Sequence, residues 1–242
     1  VSGWTLDRLN AYVPDVVPDS DLAMYRKANF GRPIGWGRKV AIVVVDMTRA
    51  FVEDRFALGC ARTGQAALRG IAQLLAVARP IGVPVCFTKM VPFRNRTEAG
   101  RWYDSCPGIF GHPDDPAAHE SAEIPAELAP RADEVVIVKG KPSAFFGTPL
   151  HSMLTFHNVD TLIITGMVTS GCVRATVDDA FARDYRVIIP LECVADRAEV
   201  PHRVNLFDME MISADVLPLA EVLKHLRRLD AAVYVRGASE SA

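Results

Sequence analysis

Apolar runs alternate with amphipathic stretches along most of this chain. Lys39–Val45 is a continuous apolar run rich in Val and Ile and bounded by charge, which suits a strand buried on both faces. Gly64–Arg79 spaces Ala, Leu and Ile at helical intervals, and Pro80 and Gly82 mark its end. Val83–Thr88 reads as a second strand, Glu134–Lys139 as a third, Thr161–Thr165 as a fourth and Arg186–Ile189 as a fifth. Helices are predicted over Thr148–His157, Ser170–Asp184, Val200–Met211 and Pro218–Leu229, with a short strand at Ile212–Val216. Ala231–Val235 reads as an extra strand or an ordered extension. Strands alternating with helices of this length predict an α/β fold of right-handed βαβ units around a mostly parallel sheet.

Two stretches break the alternation. Val1–Gly37 reads as an irregular arm with helical character around Asp21–Ala28. Pro92–Pro130 is long and rich in Pro, Gly and Asp, with a short helix expected near Pro125–Leu128. Long ordered loops in compact domains usually border a functional site. No repeat or second domain is visible, so residues 1–37 are read as an arm and residues 38–242 as one domain.

Composition narrows the function classes. The chain is 50% hydrophobic and 23% charged, ordinary for a globular protein. A formal net charge of −2 and scattered basic residues give no reason to expect nucleic acid or an anionic membrane as partner. The apolar runs are far too short to span a bilayer. Five cysteines (Cys60, Cys86, Cys106, Cys172 and Cys193) lack CxxC spacing, which argues against a disulfide framework or a zinc knot and for a reducing cytoplasm. The polar, proline-interrupted first stretch does not read as a signal peptide.

The chemistry gathers at strand ends. Asp46 closes the first strand, Lys139 closes the third, and Cys172 follows the fourth after the turn Thr169-Ser170-Gly171. In a parallel sheet all strand C-termini lie on one side, where open α/β sheets hold their ligands. A thiol in the first turn of a helix, near an ammonium, is favoured as thiolate. Asp46 would serve as base and Lys139 would hold the negative charge. Each residue also has a plainer reading: a buried inert thiol, a capping Asp, a solvated Lys. Lys141 competes with Lys139, but Lys139 closes the strand whereas Lys141 abuts Pro142 in a turn.

An ordered set of segments resembles the isochorismatase-like cysteine hydrolases, within them the N-carbamoylsarcosine amidase and maleamate amidase branch. The segments are Gly35-Trp36-Gly37, Val43–Met47 with Phe51, Lys139 with Ser143–Leu150, Ile164–Thr176 with Asp178-Asp179-Ala180, Cys193–Ala198, Pro201-His202 and Asn205–Asp208. The resemblance implies a three-layer αβα, Rossmann-like fold with about six strands. It implies an Asp46, Lys139, Cys172 triad, and selects Lys139 over Lys141 through the spacing to Ser143. It also implies a cis peptide at Met167–Val168, with the amides of Val168 and Cys172 forming an oxyanion hole. Arg197 is expected to hold a substrate carboxylate, although a surface salt bridge is its plainer use. Phe51, Trp102 and Phe145 are expected to wall the pocket.

Nicotinamidases of the same superfamily carry a metal-binding Asp and His set after the second strand. The matching stretch here, Lys89–Tyr103, has no His, so neither a metal nor any other cofactor is expected. The resemblance further implies a homo-oligomer, tetramer or dimer, with Asn205–Met211 as a contact. The activity expected is hydrolysis of a small linear amide or ureido acid, with N-carbamoylsarcosine leading and maleamate close behind. A vinyl-ether hydrolase without a cysteine nucleophile, and a non-catalytic binding or assembly protein on the same fold, are the rival readings.

Overall fold

Six consecutive apolar residues with no polar alternation need cover on both faces, and β1 (Val40–Val45) has it: every residue is buried. The computed structural model describes residues 17–106, 111–112 and 114–235. Beside β1 lie β2 (Val85–Lys89) and β3 (Val135–Val138) on one side. On the other lie β4 (Thr161–Met167), β5 (Arg186–Pro190) and β7 (Asp215–Leu217), giving the order β3-β2-β1-β4-β5-β7 with every pair parallel. β6 (Val194–Ala195) pairs with the last residues of β4, which makes the sheet seven-stranded. The order reverses at β1, because β2 and β4 lie on opposite sides of it. That reversal is where doubly wound sheets open a crevice at their carboxyl edge.

Helices cover both faces. On one face α3 (Ala61–Ala78) presents Ala67, Leu68, Ile71, Leu74, Leu75 and Ala78 to Val40, Ile42, Val44 and Ile163. These positions recur at helical spacing, so propensity and burial agree. On the other face α7 (Leu150–Phe156), α8 (Arg174–Phe181) and α9 (Glu199–Ile212) pack on Val43, Val45, Leu162 and Ile164. The odd and even residues of β1 therefore feed two separate cores, as period-two geometry requires. Among the described residues no helix is long and apolar enough to cross a membrane.

Several expectations need correction. The helix expected around Asp21–Ala28 is present as α1 (Asp19–Ala28), and the chain after it is pinned, because Asp215 receives the amides of Ile34 and Gly35 at 2.9 and 2.8 Å. The expected arm residues 1–16 lie outside the described residues. The long loop holds three short α-helices besides the expected turn at Ala126–Leu128: α4 (Arg96–Ala99), α5 (Arg101–Ser105) and α6 (Pro116–Ser121). Ala232–Val235 is helical (α11), not a strand. Asn205–Met211 lies on helix α9 with Leu206, Phe207, Met209 and Met211 buried in the core, while Asn205, Asp208 and Glu210 are only partly buried. Helix α2 (Arg49–Val52), which the spacing does not predict, follows β1, and α10 (Leu219–Leu226) follows β7 within the expected Pro218–Leu229 helix.

Candidate active site

β3 lies two strands from β1, roughly 10 Å at about 4.8 Å per strand. Only a long side chain at the end of β3 can reach a carboxylate at the end of β1. Lys139 does so: its Nζ stands 2.7 Å from Asp46 Oδ2, with both side chains essentially inaccessible. The intervening strand carries a short residue, Thr88, one position before its end, and its hydroxyl donates to Asp46 Oδ1 at 2.8 Å. The Asp46 amide donates to the Thr88 carbonyl and hydroxyl, both at 3.1 Å. Asp46 adopts a left-handed conformation, φ 48°, a strained choice typical of functional positions.

The ammonium of Lys139 is shared. It donates to the Lys141 carbonyl at 3.0 Å and to Cys172 Sγ at 3.4 Å. The contact with Asp46 Oδ2 is close but not aligned as a hydrogen bond, so Oδ2 has no aligned donor. The same carboxylate acts on the Cys172 thiol, whose pKa its charge raises. Carboxylate, ammonium and thiol therefore meet at one point, where Asp46, Lys139 and Cys172 are 1%, 2% and 7% exposed.

The turn that carries the thiol is tightly specified. Gly166 pairs with Val45 at φ 108°, where a Cβ would collide with the Val45 carbonyl oxygen. The Met167–Val168 peptide bond is cis. Residues Thr169–Val173 then form a π-helical turn before α8 begins, so the single helix expected over Ser170–Asp184 is two pieces. Such turns are frequent at functional sites. Thr176 donates to the Cys172 carbonyl at 2.7 Å and receives the Ala144 amide at 3.0 Å, which docks Ser143–Phe145 on the helix that follows Cys172.

The Isochorismatase domain profile matches residues 40–221. The chain belongs to the isochorismatase family. It is 34% identical over 217 residues to an N-carbamoylsarcosine amidase from Arthrobacter, covering 87% of this chain and 80% of that protein. It is 35% identical over 201 residues to a maleamate amidohydrolase from Pseudomonas putida, covering 83% and 92%. It superposes on a cysteine hydrolase from Pseudomonas syringae with a TM-score of 0.70 at 29% identity, covering 78% of this chain and 92% of that one.

This isochorismatase-family hydrolase distributes the other expected site residues unevenly. Phe51, on α2, lines a small cavity of about 50 Å³ that Asp46 also lines, together with Thr48, Met90, Pro92 and Ala118. Trp102 packs, partly buried, on the core cluster that contains Cys172 and lies outside the lining of that cavity. Phe145 belongs to the same cluster. The docking of its loop on Thr176 turns it into the core, where Tyr185 and the Arg183 guanidinium cover its ring at 6.0 and 4.9 Å. Arg197 is exposed on the loop after β6, outside that lining. Lys141 does not compete for the site; its own ammonium donates to the Ala99 carbonyl at 2.9 Å, tying α4 to the carboxyl edge. Among the described residues no group of three or more His, Cys, Asp or Glu is arranged to hold a metal ion.

The expected resting thiolate is also corrected. Burial, then the Asp46 charge, push the Cys172 thiol up to about 12, and Lys139 only partly opposes them. Burial lowers Lys139, but the nearby Asp46 and Cys172 outweigh it and hold the ammonium charged. The resting site is thus a thiol beside an ion pair. Moving the thiol proton to Asp46 leaves the number of protons on the trio unchanged. The kcat/KM profile should therefore lack an ascending limb at pH about 8.5, where an ordinary thiol ionises. A limb there would show that the thiol loses its proton to solvent.

The residues that sequence reasoning left without a role are Thr88, Thr169, Asp196 and His202. The Thr88 signal is a lone hydroxyl closing the predicted strand Val83–Thr88; the others hold the turn before Cys172, through contacts that no spacing in the sequence announces.

Proposed function

We propose that the protein is a cysteine-dependent amidohydrolase that releases ammonia from a small linear amide or ureido acid. The observation that carries this reading is the contact of Lys139 Nζ with both Asp46 Oδ2 and Cys172 Sγ in one buried cluster. Asp46 takes the Cys172 proton, with Oδ2 the oxygen available for it. The thiolate forms a C–S bond to the carbonyl carbon, and the amides of Val168 and Cys172 receive the oxyanion. The C–N bond breaks as protonated Asp46 gives its proton to the departing amine, released as ammonia. Water then attacks the thioester, Asp46 takes the water's proton, and the thiol is restored as the C–S bond breaks. Lys139 stays charged throughout and offsets the negative charge as it moves between oxygen and sulfur.

The similarity to an N-carbamoylsarcosine amidase and a maleamate amidohydrolase supports a substrate with a carboxylate near a terminal CONH2 group. N-carbamoylsarcosine is the leading substrate, giving sarcosine, carbon dioxide and ammonia, with maleamate next. Arg197 is assigned to the carboxylate, since a guanidinium binds one through two parallel hydrogen bonds. A panel of carbamoyl and amide acids, assayed for ammonia, tests the substrate class; neutral amides turned over better than acids would overturn it. On the best acid, Arg197→Leu should raise KM about tenfold or more with little change in kcat. An unchanged KM would reassign that arginine to a structural role.

A further inference from the structure

Three contacts converge on the turn that precedes the nucleophile. The Thr169 hydroxyl donates to the Ala195 carbonyl at 3.1 Å and meets His202 Nδ1 at 2.8 Å. The Ser170 amide donates to Asp196 Oδ2 at 2.7 Å. Thr169 is fully buried and Asp196 is 3% exposed, so these groups have no solvent to fall back on. β6 delivers two of the anchors: it lies beside the end of β4, which brings Ala195 and Asp196 against the turn.

Hydrogen counting fixes the roles. A threonine hydroxyl has one proton, and here it serves the Ala195 carbonyl. The imidazole must then be the donor, with its proton on Nδ1. Burial lowers the His202 pKa although Asp196 and Glu199 pull the other way, which keeps the ring neutral. Asp196 supports the same turn independently, because its other oxygen is used by the Arg197 amide at 2.8 Å.

We infer that His202 is a positioning residue, whose imidazole acts through Thr169 to fix the turn Val168–Cys172 and so aim Cys172 Sγ at the Asp46–Lys139 pair. The inference rests on the reading of Cys172 as nucleophile. Misplacing a reacting atom by about 1 Å can lower a rate by about a hundredfold, so a contact that only orients can carry a large kinetic effect.

The test is a set of variants assayed for kcat, KM, pH profile and melting temperature on the best acid of the panel. Thr169→Val and His202→Leu should each lower kcat by about 10- to 100-fold with KM nearly unchanged. The double variant should be no worse than the poorer single one, because both remove the same contact. His202→Asn, which keeps an N–H where Nδ1 stands, and Thr169→Ser should recover kcat to within about fivefold of the parent. The pH inflections should not move in His202→Asn. A wild-type kcat in His202→Leu, a loss in His202→Leu without a loss in Thr169→Val, or inflections that shift with His202 would each overturn the inference. If His202→Leu does not fold, the Asn, Val and Ser variants decide the matter. Cys172→Ala in the same assay separates the two levels: if it is inactive, a failure above belongs to the positioning role alone, whereas an active Cys172→Ala removes the nucleophile reading itself.

Discussion

Cys172→Ala is expected to lower ammonia release by about 10⁴-fold or more while leaving the fold intact. The substitution removes one sulfur from a site already closed to solvent, where Cys172 is 7% exposed. Lys139 keeps its contacts with Asp46 and the Lys141 carbonyl, so no charge is left without a partner. The stability change should stay near 1 kcal/mol, the size of a small buried truncation. Thermal melting followed by circular dichroism, beside an ammonia assay, reads both quantities. Turnover within tenfold of the parent would remove the thiol from the mechanism.

The second large effect is at Lys139. Lys139→Ala strands the Asp46 carboxylate, which is 1% exposed and has Lys139 as its ion-pair partner. Leaving a buried charge unpaired typically destabilises a protein by about 3–5 kcal/mol. The same change strips the thiol of the cation that would hold it ionised, so kcat should fall by about 10³-fold or more. Lys141→Ala loses only the bond to the Ala99 carbonyl, worth about 1 kcal/mol, and retains the backbone carbonyl that accepts from Lys139. Urea denaturation of the two variants, together with kcat, gives the comparison. If Lys141→Ala were the more damaged of the two, the wrong lysine would have been placed at the chemistry.

Much of the site was legible because it sits at strand ends. The Val and Ile runs announce parallel strands, buried in β1 and β4 and largely exposed in the edge strand β3, and parallel strands put Asp46, Lys139 and the turn before Cys172 on one edge. What the pattern could not give was the order of the strands. Nothing local says that β4 crosses to the far side of β1, yet that crossing makes the crevice. β6 was missed because two residues have no periodicity; it exists through its pairing with Gly166 and Met167. Helices α4, α5 and α6 carry no such signal either, since four to six residues cannot display a repeat of 3.6.

Aromatic residues signal contact area but not which side the contact lies on: Phe51 lines the small cavity beside Asp46, while Trp102 and Phe145 pack on the core cluster that contains Cys172. The helix start and the nearby ammonium suggested a resting thiolate. Burial is a property of the assembled fold, and it decides the balance the other way at Cys172. The proposed mechanism follows from this: the thiol starts protonated, and Asp46 is the base proposed to take its proton.

Acid-quenched mass spectrometry during turnover of the best amide acid tests the central claim most directly. The account predicts an acyl group on the peptide containing Cys172, and its diversion to a hydroxamate when hydroxylamine is added. An acyl group on another residue, or continued ammonia release with Cys172 unmodified at every time point and no hydroxamate formed, would contradict it.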